Sequence, residues 1–168
     1  MSSGPTLPAY AANMPLTDLR TAELLVVAAI RLWIAPQRQA VCAHPVPVWC
    51  GGFSLAGMDM ADIAAFDSLL RIVATTAGRH LDLRCRHSIR LGADEVRLLC
   101  LVGLLQQNQR PAAAAMLGHW LPAAAARVAL APALCFATAL RDCGLLLPSR
   151  HGLPAGSAHP DPGLALLH

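Results

Sequence analysis

Only one stretch of this 168-residue chain, LDLRCRHSIRLGADE at 81–95, alternates apolar and polar residues, and no second stretch offers it a convincing partner strand. A sheet needs several such segments, so any ribbon here must be small. Elsewhere the apolar residues recur at helical spacing, in blocks bounded by proline and glycine. That pattern predicts a mostly α protein: a single-domain helical bundle of about five helices, with a small extended or β element near 79–91.

The boundaries follow from local chemistry. Residues 1–16, rich in Pro, Ser, Gly and Ala, read as a flexible arm. A first helix starts at Thr17 or Asp18, both good N-caps, and reaches about Ala35 before Pro36. Arg20, Glu23 and Arg31 share one stripe. Leu24, Leu25, Ala28 and Leu32 lie opposite, so the helix is expected to be mostly buried. Residues 36–57, with three prolines and three glycines, predict a long loop with a short helical turn near Phe53.

A second helix spans about 59–77. Its core face is Ile63, Phe66, Leu70 and Val73, its outward pair is Asp67 and Arg71, and Gly78 is its left-handed stop. A third runs from Gly92–Asp94 to about Asn108, with Asp94 and Glu95 in the first turn, where the helix dipole favours them. Its LLCLVGLL run is apolar all round, which marks the central helix. Pro111 opens a fourth helix. Pro122 opens a fifth that ends at Cys143 and Gly144, and Pro132 should kink or divide it. Residues 17–148 then form one domain, followed by a disordered tail at 149–168.

Hydrophobic residues make up 55% of the chain and charged ones 14%, so the main body should fold rather than stay disordered. All 13 basic residues are Arg. The net charge of +3 is matched by residues 79–92 alone, where Arg79, Arg84, Arg86 and Arg90 face Asp82. These four arginines are the candidate binding surface, suited to phosphates or an acidic protein face. Aromatic residues are scarce, at 4%, which leaves no stacking platform for nucleic acid.

The start, MSSGPTLPAYAANMPLTD, lacks a basic lead and apolar run, so the expected location is cytoplasmic, with reduced thiols. The Ala- and Arg-rich composition is that of a bacterial protein. Residues 121–140 are long enough to span a bilayer, but Arg127, Pro132 and the weak apolarity of Ala make insertion unlikely as an expectation.

Two Cys-x-His pairs, Cys42 with His44 and Cys85 with His87, supply ligand types that zinc prefers. Their spacing departs from the usual gap of two to four residues, and Cys85 falls on the apolar side of the alternating stretch. No cofactor is therefore expected, with zinc the alternative. Cys50 in WCGG lacks the second Cys of a dithiol site, and no particular His is indicated as its base. Cys100, Cys135 and Cys143 read as structural. No phosphate loop, HExxH or GxSxG elbow is present.

These readings favour a non-enzymatic binding or regulatory protein, acting on a protein partner or on a second copy of itself. Its working surface would be the arginines together with the loop from Gln37 to Gly57. Trp33, Trp49 and Trp120 are candidate exposed anchors for self-association. A nucleic-acid-binding regulator using the 79–90 segment, or a small zinc-stapled domain, are the alternatives.

Overall fold

The computed structural model describes residues 9–38, 48–148 and 150. The protein is a helical bundle, with six α-helices among the described residues: α1 (Thr21–Arg38), α2 (Gly51–Leu55), α3 (Met60–Thr76), α4 (Ala93–Gln106), α5 (Arg110–Trp120) and α6 (Ala123–Asp142). Short 3-10 turns precede α1 at Leu16–Asp18 and α2 at Val48–Cys50. The helical turn expected near Phe53 is α2.

The apolar pattern determines the packing of the later helices. In α4 ten of fourteen residues are buried, as expected of a central helix, and it packs against α1, α5 and α6. α6 also lies against α3 and α5. The predicted face of α3 is buried at Ile63, Phe66, Leu70 and Val73. Phe66 joins Phe53 and Phe136 in a three-ring cluster with centroids 4.8–5.3 Å apart, and Trp49 stacks obliquely on Phe66 at 5.4 Å. This cluster ties α2, α3 and α6 into one core.

Several expectations change. The 79–91 stretch forms no strand and turns at Arg86 and His87; one isolated antiparallel bridge pairs Arg90 with Pro15. Its alternation served a different purpose, since the backbone there hydrogen-bonds to the 13–16 segment and to the start of α4. Residues 9–16, read as part of a flexible arm, place Tyr10 and Met14 in the core. α3 ends on an extended Ala77, and the left-handed glycines among the described residues are Gly57 and Gly144, so Gly78 is not the stop. Gly144 does terminate α6 as expected, with φ 74°.

α6 runs through Pro132 undivided. Proline deprives the Val128 carbonyl of its intrahelical donor. Val128 is exposed, so water can satisfy that carbonyl without breaking the helix. The three tryptophans expected on the surface, Trp33, Trp49 and Trp120, are all buried. Their large apolar area favours the core once the helices close.

Candidate functional site

α1 carries its charges inward. Glu23 is 0% exposed and Arg31 3%, whereas Leu24 and Ala28 lie on the outside. Arg20, which shares their stripe, precedes α1 and is exposed. Burying a charge is costly unless it is paired and its hydrogen-bonding groups are satisfied, and both conditions are met.

Arg31 Nε and Nη2 donate to the two oxygens of Glu95 at 2.8 Å each. The same guanidinium donates to the Ser88 and Arg90 carbonyls. Glu95 also accepts from the Arg84 N–H at 3.1 Å and the Gly92 N–H at 2.8 Å. All four acceptor positions of this buried carboxylate are therefore filled.

Asp94 beside it is filled in the same way. Arg79 grips it with Nη1 and Nη2, Arg97 Nη1 reaches it at 2.6 Å, and the Asp82 N–H donates at 2.6 Å. In return the Asp82 side chain accepts from the Ala93 N–H at 2.8 Å, satisfying an orphan donor of the α4 N-terminus. Gly92 is required here, because a Cβ would stand 2.1 Å from the Asp82 carbonyl oxygen. The 79–92 segment is thus a polar clasp that caps α4 and seats α1.

Burial alone would push the Asp94 carboxyl up. The hydrogen bonds from Arg79, the Asp82 N–H and Arg97 outweigh it and hold the group below its ordinary 3.8. A depressed carboxylate contributes stability above its unfolded pKa and loses that contribution as pH falls through the folded value. We expect stability to decline as pH drops below about 4, and the decline to flatten in Asp94→Asn. Urea midpoints taken across acid pH check this, and parallel profiles for the two proteins would refute it.

The clasp takes up most of the candidate basic surface. Arg79 grips Asp94. Arg84 pairs with Asp82 and donates to Asn13 Oδ1. Arg90 donates to the Asn13 carbonyl at 2.9 Å. Arg86 is exposed and donates to His87 Nε2 at 2.9 Å, and it meets no carboxylate among the described residues. Arg79 and Arg84 are paired with carboxylates, whereas the exposed Arg86 and Arg90 meet none among the described residues.

Cys42 and His44 lie outside the described residues. Cys85 and His87 are exposed, so Cys85 is not on a packed side, and no metal-holding group of three ligands occurs among the described residues. Cys50 is buried, and burial followed by the nearby Asp67 carboxylate pushes its thiol up, the reverse of nucleophile activation. Cys100 is half-buried, and burial pushes it up to about 11. Cys135, expected in the core, is exposed.

An open groove of about 600 Å³ separates the start of α3 from the end of α6, lined by Asp59, Asp62, Asp142, Thr138, Cys135 and Cys143 among others. Asp59 caps α3 by accepting from the Asp62 N–H at 2.8 Å. Asp67, further along α3, accepts from Trp33 Nε1 and from Arg71 Nε, the expected i,i+4 pair, each at 2.7 Å.

α6 is the other unusual surface. Ala126, Ala129, Ala133, Phe136, Ala137 and Leu140 face the core. On its outer side Ala124, Val128, Ala131 and Cys135 are exposed at spacings of four, three and four residues. The helix is long and apolar enough to cross a membrane, by length and composition. No protein family, no curated protein and no solved structure matches this chain.

Proposed function

We propose that this protein is a non-enzymatic binding protein that works by protein–protein contact, with a second copy of the chain as its partner. The observation that supports this reading is the outer face of α6. A surface helix ordinarily turns a charged face to water, and a helix apolar on every side is ordinarily enclosed. α6 is enclosed on one side only. Val128, 62% exposed, sits at the middle of an outward stripe whose other members are Ala124, Ala131 and Cys135. Arg127 is the charge beside it. Small side chains let two helices approach closely, so the stripe suits a helix of the same kind.

On this reading the working surface is α6 rather than the 79–90 arginines, three of which make hydrogen bonds within the fold.

Sedimentation velocity tests it. The wild-type mass should rise above the 17.7 kDa monomer as concentration increases through the micromolar range. Val128→Glu should weaken association about tenfold or more, equivalent to about 1.4 kcal/mol, with helicity unchanged. A wild type that stays monomeric throughout, or a variant that associates as well as wild type, would refute the reading.

A further inference from the structure

Among the described residues two arginine–carboxylate pairs have both partners buried, and they differ in one respect. Arg31 and Glu95 both stand on helices, so neither can leave without unfolding. Glu23 stands on α1, but its partner Arg150 stands on no helix and lies beyond the non-helical 143–148 segment that follows α6. Gln106 holds that segment on the near side: its side chain donates to the Leu145 carbonyl at 2.9 Å and accepts from the Leu147 N–H at 2.8 Å. Arg150 lies three residues beyond.

The receptor around Arg150 selects the shape of its head group. Arg150 Nε donates to Glu23 Oε1 at 2.8 Å and Nη2 to Glu23 Oε2 at 3.0 Å, a fork that an ammonium cannot reproduce. Nη2 also donates to the Asp18 carbonyl at 2.7 Å. The Tyr10 ring lies 5.0 Å from the guanidinium carbon, within cation–π range. Glu23 is fixed in place by the Arg20 N–H at 2.6 Å. The Tyr10 hydroxyl is buried beside Glu23, and burial followed by that carboxylate pushes it up, so it adds a neutral polar group to the same receptor.

We propose that Tyr10, Glu23 and the Asp18 carbonyl form a guanidinium-recognition site, filled in cis by Arg150 as a detachable latch, whose ligand in trans is an arginine side chain of a peptide. The inference is independent of the α6 surface. A tethered arginine competes at an effective concentration in the millimolar range, so a free ligand gains access when the latch is removed or in excess.

Tyr10 is the chain's single tyrosine, so 3-fluorotyrosine places one ¹⁹F probe in the site. The Arg150→Ala resonance should move away from the wild-type position. Methylguanidinium at millimolar concentration should return it at least halfway, and so should the peptide acetyl-Pro-Ser-Arg-amide. Methylammonium at equal ionic strength should leave it in place, and Glu23→Gln combined with Arg150→Ala should respond to neither cation. If Arg150→Ala does not fold, Arg150→Lys takes its place in the same titrations. Absence of response to methylguanidinium, equal response to methylammonium, or response to methylguanidinium but not to the peptide would each overturn the proposal.

Discussion

Glu95→Ala should lose about 3–5 kcal/mol of stability, a large part of the roughly 5–15 kcal/mol typical of a domain. The carboxylate is fully buried and accepts from Arg31 twice, from the Arg84 N–H and from the Gly92 N–H. Removing it leaves a buried guanidinium without its counter-charge and two backbone donors without acceptors. Each loss carries a desolvation penalty that a new cavity cannot offset. Glu95→Gln should fall between, because it preserves the shape but replaces one acceptor oxygen with a donor. Arg31→Met combined with Glu95→Leu should lose less than the sum of the single changes, since no buried charge remains. Urea unfolding of wild type, Glu95→Ala, Glu95→Gln, the two single changes and the double variant measures these differences. A loss below about 1 kcal/mol for Glu95→Ala would mean that water reaches the clasp and that its hydrogen bonds are not the source of the fold's rigidity.

Phe66→Ala should be comparably damaging, by about 3–5 kcal/mol, or a melting temperature lower by roughly 10 °C for a chain of this size. Phe66 is 1% exposed and touches the rings of Trp49, Phe53 and Phe136. Its removal opens a cavity at the only place where α2, α3 and α6 share an aromatic core among the described residues. α2 has five residues and cannot persist without tertiary contact. We therefore expect the Gly51–Leu55 amides to exchange faster in Phe66→Ala than the α4 amides do. Phe66→Leu should recover most of the loss. Uniform exchange changes across α2 and α4 would refute the local account and point to a single cooperative unit.

The two variants probe different kinds of legibility. Phe66 was readable, because it repeats with Ile63, Leu70 and Val73 at helical spacing, and an apolar stripe can only be buried. The pairing of Glu95 was not readable. A carboxylate in the first turn of a helix is explained by the dipole alone, and its partner Arg31 is 64 residues away. The stripe of α1 shows the same limit. Periodicity groups Glu23 with Arg31, but both faces of that helix contain apolar residues, so periodicity cannot decide which one turns inward. The signal available was that Ala22, Val26, Val27 and Ile30 flank the charged positions. The arginines of 79–90 were recognisable as a cluster, yet their availability depends on Asp94, Asp82 and Asn13, which only folding brings beside them.

By itself the sequence determined the helical class, the approximate extents of the long helices, the central position of α4 and the stop at Gly144. Proline, glycine, capping residues and apolar spacing act within a few residues of one another, so their effects are already present in the unfolded order of the chain. Only the tertiary structure decided which charges would be enclosed. It turned Glu23 and Arg31 inward, joined Arg150 to a carboxylate 127 residues earlier and left α6 with an uncovered apolar side. A buried ion pair is stable only when both partners arrive together with correct geometry, and that condition is set by the packed helices rather than by either residue's neighbours.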